Sequence, residues 1–318
     1  MWTLIQQIAP YAIIFTIPLL ITALGALFSE RSGVVNIGLE GLMVVGAFTG
    51  ALVIVNMQMI WPGQQKALWL GLLIATIAGM LFSLLHAFAS INLNANQIIS
   101  GTAINMIAGA ITVFLARTIT GSGNIRINSF LPFDVKFLSL SDMPILGSLL
   151  FTRTYPTTWL VLIILALSTF VLYKTSFGLR LRACGEHPHA AEAAGINVRK
   201  MRYIGVMISG AYSGLAGAII VTTFAGEFTG TVAGLGFLAL ASLIFGQWKP
   251  LGILAATLFF GFASTIANVS QVIPSLAIFP PVLLKIFPYV VTLLALIVFS
   301  KSSQAPKAVG EPFESGKR

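Results

Sequence analysis

"AGLGFLALASLIFG", residues 233 to 246, decides how often this chain crosses a bilayer. The run is apolar but short: a crossing helix takes about 20 residues, and runs of about 10 to 14 include re-entrant and buried segments. Longer apolar runs flank it, near residues 10 to 28, 36 to 56, 67 to 90, 98 to 116, 157 to 173, 203 to 225, 250 to 270 and 281 to 300. If the short run also crosses, the chain has about nine transmembrane helices (about 8 to 10), its N-terminus outside and its C-terminus cytoplasmic. The basic residues test that choice. Twelve of the 18 Lys and Arg, among them Arg31, Lys174, Arg180, Arg199 and Lys249, then fall inside. Cytoplasmic loops collect Lys and Arg, and a re-entrant run would put the basic tail outside, so a crossing is expected.

The composition sets the class. Of 318 residues, 57% are hydrophobic and 8% charged, against about 25% charged in soluble domains. Lipid-facing helices need no charge, because the bilayer core is itself the apolar solvent. The expected fold class is therefore an all-α polytopic membrane protein. One cysteine excludes an internal disulfide framework. The net charge of +9 resides in loops between apolar runs, which points to topology and not to nucleic acid. No basic residue precedes the first run and Arg31 follows it, so that run reads as an uncleaved anchor.

Residues 1–300 read as one transmembrane domain with two hydrophilic excursions, 117–156 expected outside and 174–202 expected in the cytoplasm. The cytoplasmic tail 301–318, "KSSQAPKAVGEPFESGKR", reads as disordered. "FASINLNANQII" from Phe88 and "FASTIANVSQVI" from Phe262 share a gapless pattern on helices expected to run in opposite directions. That is the mark of an inverted repeat; chance similarity is the alternative, since the upstream glycines do not align at the same offset.

The cytoplasmic excursion contains "GLRLRACGEHPHAAEAAGINVRK", residues 178 to 200. Pro188 fits a first helical position and Gly195 the position past a helix end, leaving a short helix, "PHAAEAA". Isolated helices under about 12 residues are marginal in water, so this one should dock on a partner, a solvated loop being the alternative. Cys184, His187 and His189 lie close in sequence, but structural zinc takes four ligands and the chain supplies too few.

Extended to "GLRLRACGEHPHAAEAAGINVRKMRYIGVMISGAYSGLAGA", this stretch resembles the cytoplasmic loop and following helix of bacterial ABC-transporter permeases of the branched-chain amino acid, ribose and nucleoside group. "ERSGVVNIGLEGLMVVGAF", near the N-terminus, is similar to the stretch that marks the nucleoside and simple-sugar branch. The likeness covers most of the chain, which is most like the shorter permease subunit of a nucleoside importer. The resemblance implies a multi-pass permease of the bacterial cytoplasmic (inner) membrane that translocates nucleosides. It also implies ATP on a separate cytoplasmic ATP-binding subunit, a second permease subunit of different sequence, and an extracellular or periplasmic substrate-binding protein. No cofactor is expected on this chain. The family's coupling helix would map to Glu186, His187, Pro188, Ala190, Ala191, Glu192, Ala194 and Gly195, and Ala191→Arg is expected to abolish coupling by filling the docking groove.

The residues agree with that division of labour. A phosphate-binding loop needs G-x-x-x-x-G-K-[ST], and "GEPFESGKR" has one residue too many and ends in Arg318. No catalytic constellation is visible, so the chain is not expected to be an enzyme. A simple sugar or branched-chain amino acid is the alternative cargo. An ion-coupled secondary transporter is the alternative class, and the scarcity of intramembrane carboxylates, essentially Glu40, argues against it.

Asn36, Glu40, Gln97 and Asn105 are the candidate pathway residues. Glu40 is ionisable in a membrane segment, with Asn36 one helical turn away; pairing with Arg31 at a helix end is the structural alternative. Gln97, Gly101, Asn105 and Gly109 share one helix face, where amides either pack helices or line a route. Ser209, Ser213 and Gly217, beside Gly210, Gly214 and Ala218, predict close helix packing. Glu227, Arg117 and Arg126 are read as external-loop charges, either solvated or facing the binding protein.

Overall fold

The structure, a computed structural model, describes residues 2–133, 154–269, 286, 290, 304–314 and 316. The expected run near 281 to 300 and much of the 117–156 excursion therefore lie outside the described residues. Ten helices carry the described fold: α1 (Trp2–Arg31), α2 (Leu39–Ile60), α3 (Lys66–Ala87), α4 (Gln97–Thr120), α5 (Pro156–Lys174), α6 (Ser176–Glu186), α7 (Pro188–Ala193), α8 (Val198–Ile220), α9 (Leu235–Phe245) and α10 (Pro250–Val269). Strands β1 (Ile125–Arg126) and β2 (Glu227–Phe228) pair antiparallel, Ile125 opposite Phe228 and Arg126 opposite Glu227. Among the described residues, 6 helices are long and apolar enough to cross a membrane: α1, α2, α3, α4, α5 and α8, with π-helical turns extending α3 and α8.

Helices α1 and α8 form the centre, α8 packing on α1, α2 and α3 and α1 packing on α10. Small residues permit this. A side chain at Gly46 would strike the Gly214 carbonyl, one at Gly79 the Gly210 carbonyl, and one at Gly217 the Met43 carbonyl. The small-residue spacing on α8 is thus a packing surface. The outer faces of α3, α4 and α5 expose large apolar side chains, including Leu81, Met106, Phe114 and Phe170, as lipid-facing helices do.

The bundle has two distinct ends. One carries α6 and α7 against the last residue of α1; the other carries the β1–β2 pair, where Gln58 at the end of α2 donates to the Ser129 carbonyl and accepts from the Asn128 N–H. Two helices begin inside the bundle after unwound leads that enter from opposite ends. Residues 32–38 lead into α2 from the α6–α7 end, and residues 229–234 lead into α9 from the β end.

The 14-residue run is consequently only in part a helix. Helix α9 has 11 residues and spans about 16 Å at 1.5 Å per residue, half of a hydrocarbon core of about 30 Å. Ala233 (φ 57°) and Gly234 (φ 79°) are left-handed, so the helix cannot start earlier. Lead and half-helix together run from β2 to the turn at Trp248 beside Arg31.

The 174–202 excursion is mostly helical. Pro188 occupies the first position of α7 and Gly195 is left-handed at φ 80°, as the sequence predicts. Helix α6 was not expected; the Thr175 side chain opens it by accepting from the Gly178 N–H at 3.2 Å. The expected disorder of the tail is corrected for residues 304–314. Residues 304–314 lie against α6 and α7 because Pro306, Ala308 and Phe313 are apolar enough to be buried there.

Candidate functional site

The unwound lead 32–38 places polar backbone inside an apolar bundle, where each group must find a partner. Side chains from three helices, α1, α3 and α4, supply most of them. Ser29 donates to the Val34 carbonyl at 2.7 Å, Gln97 Oε1 accepts from the Val35 N–H at 2.7 Å, and His86 Nε2 lies 3.0 Å from the Val35 carbonyl. A carbonyl only accepts, so Nε2 carries the proton and Nδ1 accepts from the Ser100 hydroxyl at 3.0 Å. Asn105 spans the break, donating to the Ile37 carbonyl at 3.0 Å and accepting from the Gly41 N–H at 2.7 Å. Asn36 accepts from the Gly38 N–H at 3.1 Å and donates to Ser209 Oγ at 2.9 Å.

Three of the four candidate pathway residues therefore fasten one break in the chain. The expectation that Asn36 and Glu40 share a helical face is corrected, because Asn36 precedes α2 and sits in the unwound lead. Of the Gln97 amide, Nε2 is buried without a hydrogen-bond partner.

Glu40 joins the two interior helix starts. Its carboxylate accepts from the Gly234 N–H at 2.8 Å and the Gly236 N–H at 2.7 Å, capping α9 from α2. A carboxylate satisfies N–H groups that have no intrahelical acceptor and opposes the positive end of the helix dipole. The pairing with Arg31 is corrected: Arg31 Nη1 lies 3.7 Å from Glu186, and its Nη2 donates to the Trp248 carbonyl at 2.8 Å.

Helix α7 projects from the α6–α7 end. Pro188 and Ala191 face inward and are buried; His187, His189, Ala190, Ala193, Ala194 and Gly195 are exposed. The docking expectation for Ala191 is corrected accordingly, since an arginine there would disrupt the chain's own packing. Ala190 occupies the outward position.

Arg31 links α7 to the interior. Besides reaching Glu186, it holds the α9–α10 turn, where Gln247 (φ 52°) and Trp248 (φ 51°) are left-handed. The buried Trp248 indole donates to Glu30 at 2.6 Å. Helix α9 is thereby fixed at one end by Glu30 and Arg31 and at the other by Glu40. Sequence reading missed His86 and Trp248. A histidine deep in a span was visible as a signal, but its partners lie 14 and 51 positions away.

Among the described residues no three His, Cys, Asp or Glu side chains come together to hold a metal. Cys184 is buried, and burial pushes its thiol up to about 11.

Comparison with known proteins places this architecture. No solved structure matches the chain. It is 46% identical over 319 residues, 99% of this chain and 98% of the relative, to the guanosine ABC transporter permease protein NupQ of Bacillus subtilis. It is 41% identical, over 96% of each chain, to the nucleoside ABC transporter permease protein NupC of Lactococcus lactis. A Haloferax volcanii protein assigned provisionally to glucose transport, the ABC transporter permease protein TsgC13, is 32% identical over 87% of each chain. Residues 8–296 match the family described as branched-chain amino acid transport system / permease component, and the chain belongs to that family of multi-pass membrane permeases.

Proposed function

We propose that this permease subunit imports nucleosides across the cytoplasmic (inner) membrane of a bacterium. The observation that carries the cargo is the collinear 46% identity, over 99% of the chain, to a permease named for guanosine. ATP is bound by a separate cytoplasmic subunit, this chain holding no cofactor. A second permease of different sequence and an extracellular or periplasmic substrate-binding protein complete the assembly. A simple sugar is the second reading; the 32% identity to TsgC13 is lower than that to either nucleoside permease.

We place the α6–α7 end in the cytoplasm, which puts the N-terminus of α1 outside and the tail inside. Support comes from the basic residues of that end, including Arg180, Arg182, Arg199 and Lys200. The run 233–246 crosses as an unwound lead plus a half-helix, consistent with about nine crossings. The leads into α2 and α9 enter from opposite ends, and Gly38, before α2, and Gly50, within it, have the same 12-residue spacing as Gly234 and Gly246 around α9. The α2–α3 hairpin has longer arms than α9–α10, 22 residues in α2 against 11 in α9. In an inverted repeat that length difference would account for the two Phe-Ala-Ser motifs being out of register with the glycines.

In the mechanism we infer, α7 is the coupling helix. Its exposed alanine face, with Glu186, His187 and Glu192, meets the ATP-binding subunit, whose closure displaces it. The displacement passes through Glu186 and Arg31 to the Trp248 turn, and α9 carries it to Glu40. The junction of α2 and α9 borders the route. Asn36, Gln97 and Asn105 hold its shape. Unwound backbone at membrane depth is tolerated where it is buried in protein or lines a cavity, and transporters place binding sites there.

The test is uptake of labelled guanosine, adenosine, uridine and ribose by cells with and without the chain, ATP and the proton gradient being depleted separately. Nucleoside uptake lost with the chain and with ATP is expected. Dependence on the gradient alone would overturn the mechanism, and ribose uptake alone would change the cargo.

A further inference from the structure

The tail grips every element around α7. The Ala308 N–H donates to the Gly185 carbonyl at 2.9 Å and the Gly310 N–H to the Gly33 carbonyl at 3.1 Å. Longer contacts of 3.4 Å run from the Lys307 N–H to the Glu186 carboxylate and from the Gly316 N–H to the Glu192 carboxylate. Arg202, at the base of α8 and 1% exposed, donates to the Glu311 carbonyl at 2.9 Å. Phe313, 4% exposed, stands with its ring 5.2 Å from that of His189 and 5.7 Å below the Arg202 guanidinium.

A six-residue helix has little stability of its own, and α7 contributes only Pro188 and Ala191 to the interior. Such a helix transmits force only if something fixes its seat. The tail joins both carboxylates of the α7 region to the turn after α1 and the base of α8.

We propose that residues 304–314 form an intrachain strap that positions α7 for the ATP-binding subunit, with Phe313 as its anchoring side chain. The proposal rests on the assignment of α7 as the coupling helix. The grip has opposing contributions. Arg202 is buried with Nε and Nη2 lacking partners, which is unfavourable; Phe313 offsets this by its own burial and by stacking under the guanidinium. Loss of the Phe313 ring therefore weakens the strap, leaving its backbone hydrogen bonds to Gly185 and Gly33.

The chain's single cysteine, next to the strap's contact at Gly185, is the expected reporter of that release. Cys184 is fully buried and precedes Gly185, whose carbonyl the strap caps. In the assembled transporter in lipid vesicles, maleimide labelling is followed on the Cys184 peptide, together with nucleoside uptake per ATP hydrolysed. Phe313→Ala, and truncation after Ser303, are expected to raise labelling at least about tenfold and to lower uptake per ATP. Phe313→Leu is expected to restore much of both, which separates anchoring from misfolding. Unchanged labelling in the truncated chain would overturn the strap, and raised labelling with unchanged uptake per ATP would overturn its positioning role. Failure of the coupling-helix assignment is distinct: Ala190→Arg would then leave uptake intact while Cys184 stays protected.

Discussion

Glu40, in the first turn of α2, accepts a hydrogen bond at 2.8 Å from the backbone N–H of Gly234, the residue before α9, although 194 positions separate them. One carboxylate thus joins the starts of two helices that enter the bundle from opposite ends. The acidic residue that the sequence singled out as ionisable within a span is held by backbone donors, and its charge is matched to a helix N-terminus.

Glu40→Gln keeps the shape but replaces one acceptor oxygen with a donor that faces an N–H. Hydrogen bonds to charged groups contribute about 1.5–3 kcal/mol, so thermal stability and transport are both expected to fall. Protein level, melting in detergent and uptake should be measured together. Lost uptake at unchanged stability would assign the carboxylate to cargo instead.

The outward and inward faces of α7 should respond differently to the same change. Ala190→Arg is expected to abolish ATP-driven uptake with normal insertion, because Ala190 is exposed. Ala191→Arg forces a charge into a site that is 4% exposed and should lower protein yield. Pull-down of the ATP-binding subunit separates them, Ala190→Arg failing at wild-type yield.

Trp248→Phe removes the donor that Glu30 uses at 2.6 Å. Leaving that buried carboxylate unpaired costs about 1–3 kcal/mol or more. The double variant Trp248→Phe with Glu30→Gln should recover stability, since the amide carries no charge to desolvate. Recovery of uptake by the double variant as well would remove the turn from the coupling path.

Gly46→Ala places a methyl group on the Gly214 carbonyl, where α2 and α8 touch backbone to backbone. Overpacking of this kind costs about 1–3 kcal/mol, so the folded yield should drop. Gly109→Ala, on a face where nothing lies within 4 Å, should fold normally.

Much of this could be read from the chain because it depends on local pattern. Apolar runs between polar turns located α2, α4, α5 and α8 to within a few residues, since a lipid-exposed helix needs about 20 apolar residues whatever its neighbours. Pro188 and Gly195 bounded α7 because proline suits a first turn and glycine a left-handed exit. The small residues of α8 announced close packing, and Gly210, Gly214 and Gly217 meet backbone of α2 and α3.

What only the tertiary structure decided involves partners far apart in sequence. That residues 32–38 unwind depends on Gln97, His86 and Asn105, which supply the donors and acceptors a helix would otherwise provide. That the helix within the 233–246 run starts only at Leu235 depends on Glu40, which holds the start of α9 in place. Hydropathy recorded the tail as polar and free, yet Phe313 finds a seat made by His189 and Arg202. Hydropathy and helical period are properties of neighbouring residues. The satisfaction of a buried backbone group is a property of the folded bundle, because its partner is brought within about 3 Å only when distant helices pack.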